Sequence, residues 1–162
     1  MAAVDYFLKI DGIAGESTDA KHKGEIDLES FSWGETNAGA HAGGGGAGAG
    51  KVTMQDFHFA TKVNKASPVL FLSCAMGKHL KEAIFTARKA GKSQQEFLVF
   101  KFTDLLISSY QVGGAEAGAG VPMDQVSFNF ARVEYSYRAQ DATGKLVAPI
   151  NAGWDVKQNK QA

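Results

Sequence analysis

Large apolar residues occupy every second position in most of the long segments of this chain. Successive side chains of a β-strand point to opposite faces, so a period of two indicates strands with one buried face. The pattern covers residues 4–10, 26–33, 51–63 and 126–137. Residues 97–107 are apolar on both faces, which favours a central strand covered on both sides. Residues 153–156 are typical of a short last strand, so the sequence predicts an all-β fold.

The alternation changes phase inside the segment 26–33. Apolar residues fall on even positions up to 28 and on odd positions from 31. A β-bulge adds one residue to a strand and produces such a shift. With the shift included, the polar face of this strand carries Asp27, Glu29 and Ser32.

One helix is predicted between the strands. Ser67 suits an N-cap, Pro68 suits the first helical position and Gly77 suits the C-terminal cap. The residues between them are apolar nearly all round, so this helix should be covered on more than one side. In a chain of 162 residues, a partner subunit could supply part of that cover. The strands and this helix together favour a compact barrel or sandwich of two packed antiparallel sheets, with the helix on its side.

Glycine is concentrated in two places. The stretch 38–50 holds seven of the 19 glycines, and such a segment has little apolar surface to bury. We expect flexible Gly/Ala-rich loops at about 35–50 and 113–122 that project from a single domain, 1–162. A P-loop match ends at Lys51, but Val52 stands where Ser or Thr must hold magnesium, and a strand is expected next instead of a helix. We therefore expect no nucleotide and no other cofactor.

Charge and cysteine content exclude several classes of protein. Lys+Arg and Asp+Glu both number 17, so the formal net charge is zero, which argues against a nucleic-acid partner and a basic membrane-surface helix. The one cysteine, Cys74, allows no internal disulfide and no multi-cysteine zinc site. The four histidines lack metal-ligand spacing. The N-terminus is no secretory signal, and no apolar run is long enough for a membrane span, so a cytoplasmic origin is expected.

Two alternatives remain open at this point. The carboxylates of Glu25, Asp27 and Glu29 line one strand face, and alternate strand residues lie ~6.6 Å apart, within the range of a glycosidase pair. A solvated polar face is the favoured interpretation, since no nucleophile motif accompanies them. The supply of Phe, Tyr and Trp could instead line the pocket of a small-ligand-binding barrel. A third class is an oligomer of identical subunits. It is favoured because contacts between copies would cover edge strands and the apolar surface that one chain leaves exposed.

Several longer motifs resemble those of one known family, the Hcp (hemolysin-coregulated) proteins that build the inner tube of the bacterial type VI secretion system. The motifs run through essentially the whole chain: DYFLKIDGIAGES at 5–17, HKGEIDLESFSWGE at 22–35, GKVTMQDFHF at 50–59, KASPVLFLSCAMGKH at 65–79, RKAG at 88–91, VSFNFARVEYSY at 126–137 and GWDVKQNKQA at 153–162.

The resemblance implies a structural protein rather than an enzyme. It implies a β-barrel with a helix on its side, a hexameric ring with a wide lumen, and rings that stack into a tube. A contractile sheath would expel this tube, which a spike trimer caps, and small effectors would travel in the lumen. Secretion by this route needs no cleaved signal peptide.

Three groups of residues follow from the family resemblance and the residue patterns together. The helix should lie at the subunit boundary, with Phe71, Leu72 and Met76 as interface candidates. The polar residues Asp27, Glu29 and Ser32 are candidates for a lumen face that contacts cargo. The remaining group should mediate ring stacking or spike contact: Gly43, Gly44, Gly45, Gly46 and Gly48.

Overall fold

A computed structural model of the protein describes residues 3–39, 51–90, 93–116 and 120–162. These residues form eleven strands and one helix: β1 (Val4–Ile10), β2 (Ile26–Leu28), β3 (Ser30–Ser32), β4 (Glu35–Asn37), β5 (Val52–Met54), β6 (Phe57–Lys62), α1 (Ser67–Met76), β7 (His79–Lys89), β8 (Glu96–Gly113), β9 (Met123–Tyr137), β10 (Ile150–Asp155) and β11 (Lys160–Gln161). The predicted all-β class with one helix is confirmed. Within the described ranges, no helix has the length and apolar character to cross a membrane.

Nine of the strands form one antiparallel sheet that turns back on itself. Its main path runs β11-β10-β9-β8-β7-β1-β2, and β6 pairs with both β9 and β3. β2 pairs with β1, and β3 pairs with β6. The chain changes partner at Glu29, whose backbone N–H donates to the carbonyl of Ala60. This is the predicted phase shift. Strand pairing is interrupted there, so the sheet encloses the core without the continuous closure of an ideal barrel.

Phenylalanine rings fill the space that the sheet encloses. Phe57 is fully buried, and six other phenylalanine rings have centroids 5.0–6.4 Å from its own. The six are Phe31, Phe59, Phe85, Phe100, Phe102 and Phe128. Aromatic pairs at such distances add favourable edge and face contacts to the burial of area. The alternating aromatic residues of the sequence therefore supply the core.

Several local predictions were wrong. Residues 51–63 form two strands instead of one bulged strand, because β5 pairs with β4 in a separate ribbon while β6 joins the main sheet. The predicted loop at 35–50 begins with β4, and the loop at 113–122 begins one residue late, since Gly113 ends β8. The outward residues Lys101 and Thr103 of β8 are only half-buried, so its outer face is not covered within one chain.

Candidate assembly surfaces

One side of α1 packs into the core and the other side is open to solvent. Leu70 is fully buried in the core. Phe71, Leu72 and Met76, the predicted interface residues, are 57%, 53% and 65% exposed. Val69 extends this apolar side. Exposed large apolar side chains that lie together on one helix mark a surface suited to a partner.

Polar contacts fix α1 at both ends. Asn64 Oδ1 accepts a hydrogen bond from the Ala66 amide at 2.8 Å, and Ser67 Oγ accepts one from the Asn64 amide at 3.0 Å. These two bonds order the turn that precedes the helix. The N-cap is Ala66, which has no side-chain capping bond, so the prediction of Ser67 as N-cap was wrong. Ser67 Oγ instead donates to the buried carboxylate of Asp124. At the other end Gly77 adopts φ +60°, the left-handed cap that glycine favours.

The carboxylate of Asp124 ties the helix to the sheet. It is fully buried at the start of β9, and its Oδ1 accepts a hydrogen bond from Tyr110 Oη at 2.8 Å. The ring of Tyr110 makes an edge contact with Phe71 at 6.1 Å. Burial and the hydrogen bond to Asp124 raise the pKa of Tyr110. The orientation of the exposed helix face is therefore set by buried polar bonds.

A groove of about 540 Å³ lies at the other end of β9. Strands β4 and β5 form one wall, and the ends of β9 and β10 form the other. Both tryptophans of the chain, Trp33 and Trp154, line it together with Met54, Tyr135 and Ala152. This groove was not predicted from the sequence. The aromatic residues near the ends of two predicted strands were the available signal, but strand pairing alone brings them together.

The three predicted cargo residues are all exposed, but they occupy different surroundings. Asp27 lies opposite Phe7 on β1, and Ser32 lies opposite His58 on β6. Between them Glu29 forms an exposed ion pair with Lys62 at 3.7 Å. The strand thus presents these polar side chains outward, as the phase shift predicted, but it spreads them along its length instead of gathering them in one cluster.

A buried arginine, Arg88, lies opposite Asp5 of β1. Arg88 is 2% exposed, and its guanidinium donates to both carboxylate oxygens of Asp19, at 2.6 and 3.0 Å. It also lies over the ring of Phe7, 4.8 Å from the centroid. The hydrogen bond from Arg88 holds the pKa of Asp19 well below its usual range. Burial, with added repulsion from the carboxylates of Asp5 and Asp19, raises the pKa of Asp27.

Phe7 is the apolar residue that the period of two placed on the polar face of β1. It is buried because the segment between β1 and β2 covers it, with the ring of His22 stacked on it at 4.3 Å. The two nitrogens of His22 contact Glu25 Oε2 at 2.8 Å and Glu96 Oε1 at 2.6 Å. This second small core fixes the 11–25 segment on the outer face of the sheet.

Two isosteric changes in this cluster should act in opposite directions. Because the pKa of Asp19 is lowered in the folded chain, its ionised carboxylate stabilises the fold. This contribution is complete above the pKa of an unfolded Asp, about 3.9, and is lost as the pH falls below that value. Asp19→Asn should therefore lower the unfolding temperature at pH 7. Asp27 has a raised pKa, and its ionisation opposes folding, so Asp27→Asn should raise that temperature. Thermal unfolding at pH 7 and pH 3 checks both, and both differences should shrink at pH 3. A shift of the same sign in both variants would contradict this account.

The predicted stacking residues 43–48 lie outside the described residues. Their role therefore remains a prediction from the sequence.

Comparisons with known proteins agree over the whole chain. Residues 7–137 match the family model described as "Type VI secretion system effector, Hcp". The chain is 42% identical to "Protein hcp1" of Pseudomonas aeruginosa over 99% of both proteins. The fold is similar to that in "Structure of a type six secretion system protein", with a TM-score of 0.93, 31% identity and coverage of 99% of this chain and 100% of that one. It is also similar to Hcp1 from Salmonella typhimurium, with a TM-score of 0.80, 36% identity and complete coverage of both chains.

These likenesses place the fold among the β-structured proteins of type VI secretion. The chain belongs to the Hcp family. Proteins of this family are structural tube proteins that the type VI system secretes, and hexameric rings are known among them.

Proposed function

We propose that six copies of this chain form a ring and that the rings stack into the inner tube of a type VI secretion apparatus. Contraction of the sheath expels this tube, a spike trimer caps it, and small effector proteins travel in its lumen. The observation that carries the proposal is the apolar face of α1, which is open to solvent in a single chain. Membership of a family with known hexameric rings supports the same conclusion.

Each surface has a role in this proposal. The face of α1 lies at the boundary between neighbouring subunits in a ring. Asp27, Glu29 and Ser32 face the lumen, where six copies of each modest contact add by avidity. Residues 43–48 mediate contact between stacked rings or with the spike.

Light scattering and negative-stain electron microscopy of the purified chain test the proposal. We expect rings with an open centre and a mass near six times that of the chain. Deletion of residues 43–48 should leave these rings intact and reduce their stacking into tubes. A monodisperse monomer at micromolar concentration would contradict the ring.

The filled interior of the sheet and the separate partners of the carboxylates favour this function over a small-ligand-binding barrel and over a hydrolase. The space that a ligand would occupy in a small-molecule-binding barrel is filled by the phenylalanine cluster around Phe57. For a hydrolase, the strand carboxylates would need to face one cleft. Glu25 instead contacts His22, and Glu29 pairs with Lys62.

A further inference from the structure

We propose that His22 is a proton-dependent latch for segment 11–25, which joins β1 to β2. With a proton on both imidazole nitrogens, His22 fastens this segment against the sheet. When one proton leaves, the part of the segment that follows Asp19 loosens, while the sheet stays folded. The inference concerns contacts within one chain and goes beyond the proposed function, on which it does not depend.

The geometry around the imidazole of His22 requires two donors. Nδ1 lies 2.8 Å from Glu25 Oε2, and Nε2 lies 2.6 Å from Glu96 Oε1. An ionised carboxylate only accepts hydrogen bonds, and a neutral imidazole has only one N–H. A neutral His22 would therefore turn the lone pair of one nitrogen toward a carboxylate oxygen. With both carboxylates ionised, the two short contacts are both hydrogen bonds only when His22 is an imidazolium.

The two carboxylates depend on His22 for a partner of opposite charge. The side chain of Glu25 is 13% exposed, and a carboxylate at that depth needs a cation or several donors. Within the described ranges, neither Glu25 nor Glu96 forms an ion pair with any other residue. His22 is itself buried and stacks on Phe7. Water therefore has little access to replace either partner of the imidazole.

Charged groups from four strands and from the segment itself lie around this site, and carboxylates outnumber cations among them. They are Asp5 of β1, Asp27 of β2, Arg88 of β7, Glu96 of β8 and, in the segment, Asp19, Glu25 and the exposed Lys21 and Lys23. Arg88 already donates to Asp19 and, at 3.4 Å, to Asp5. The remaining negative charge favours a second cation beside Arg88, and a doubly protonated His22 supplies it.

His22 is the attachment of this segment that can change charge near neutral pH. Within the described residues, one other ion pair fastens the segment to the sheet, between Asp19 and Arg88. An arginine keeps its proton, and the hydrogen bond from Arg88 holds the pKa of Asp19 well below its usual range. That ion pair therefore persists through neutral and alkaline pH. Loss of one proton from His22 leaves the segment fastened at Asp19 and releases it from Glu96.

The latch borders a second groove, of about 470 Å³. Residues 9–14 line one side of it, and residues 20, 21 and 23–25 line the other. Across the segment, the amides of Gly15, Ser17 and Gly24 donate to backbone carbonyls at 2.8–3.0 Å. Release of His22 would let these bonds open and would change the shape of the groove. The same three amides report on the opening.

Hydrogen exchange measured by mass spectrometry at about pH 6 and about pH 9 tests the latch in the assembled protein. After correction for the intrinsic pH dependence of exchange, the protection of peptides within 11–25 should fall at least about tenfold at the higher pH. A hydrogen bond to a charged partner contributes about that much to a local opening equilibrium. Peptides from β8 and β9 should keep their protection. An equal loss in these strands would mean general unfolding and would overturn the latch.

Glu96→Gln is the decisive variant. The amide of glutamine can accept from a protonated imidazole nitrogen or donate to a bare one. The contact therefore survives in both charge states, and the pH dependence of protection should disappear. The side chain of Glu96 is 41% exposed, so the variant should fold, as circular dichroism can verify.

Glu134→Gln is the matched control for this variant. Glu134 is an exposed glutamate that pairs with Arg132, so its replacement should keep the pH dependence of the wild-type chain. A Glu96→Gln variant that retained the full wild-type dependence would show that Glu96 is no part of a latch.

Nuclear magnetic resonance of the chain labelled with ¹⁵N-histidine reads the charge of His22 directly. The chain has four histidines, and His22→Gln assigns the signal by its absence. We expect two protonated nitrogens at about pH 6 and one at about pH 9. A single protonated nitrogen already at the lower pH, or equal protection of 11–25 at both pH values, would overturn the inference. Light scattering at both pH values records assembly separately, so a failure of the proposed subunit ring is distinguishable from a failure of the latch.

Discussion

Leu70→Ala should lower the free energy of unfolding by about 2–5 kcal/mol, whereas Leu72→Ala should leave the fold of the single chain almost unchanged. Leu70 is fully buried in the core and Leu72 is 53% exposed. Both lie in the middle of α1, so the change in helix propensity is nearly the same in the two variants. The difference between them therefore measures burial alone.

Unfolding of the Leu70→Ala and Leu72→Ala variants at decreasing chain concentration separates effects on folding from effects on assembly. Contacts between copies stabilise the folded chain by mass action, and that contribution depends on chain concentration. The urea midpoint of Leu72→Ala should differ from wild type at high concentration and converge with it on dilution. The deficit of Leu70→Ala should persist at every concentration. A Leu72→Ala deficit that survives dilution would show that this face packs within its own chain.

The strands could be predicted because most of them have one buried face. The alternation of apolar and polar residues predicted β1 and β9, because large apolar side chains must point inward at every second residue. It also predicted the phase shift between β2 and β3 at Glu29. β7 also alternates, with Ala83, Phe85 and Ala87 buried, but it was not predicted. The small side chains of Ala83 and Ala87 weaken this signal.

Residue contacts distant in sequence could not be predicted in the same way. Phe7 breaks the alternation of β1 because His22 and Arg88 cover it, 15 and 81 residues further along the chain. The groove depends on pairing between β9 and β10 and on the ribbon of β4 and β5. Local patterns contain no information on such pairings. The need of α1 for cover on more than one side was predicted, because it is apolar nearly all round. Within the single chain, Phe71, Leu72 and Met76 lack that cover.

Phe57→Ala should have the largest effect on folding of any change in the sheet. Its ring is fully buried, and six other phenylalanine rings surround it. Truncation removes the apolar area of the ring and leaves a cavity that neighbours on several strands cannot fill together. Phe→Ala changes in cores cost about 3–5 kcal/mol, and urea unfolding at a fixed chain concentration measures this loss.

Phe57→Leu is the matched control for that measurement. Leucine retains much of the apolar volume, so its cost should be smaller, about 1–2 kcal/mol. Phe71→Ala makes the alanine change on a ring that is 57% exposed, and after dilution it should shift the midpoint little. The expected order of loss is Phe57→Ala, then Phe57→Leu, then Phe71→Ala. Equal losses for the two alanine variants in dilute solution would mean that the core does not centre on Phe57 and that the face of α1 belongs to the interior of a single chain.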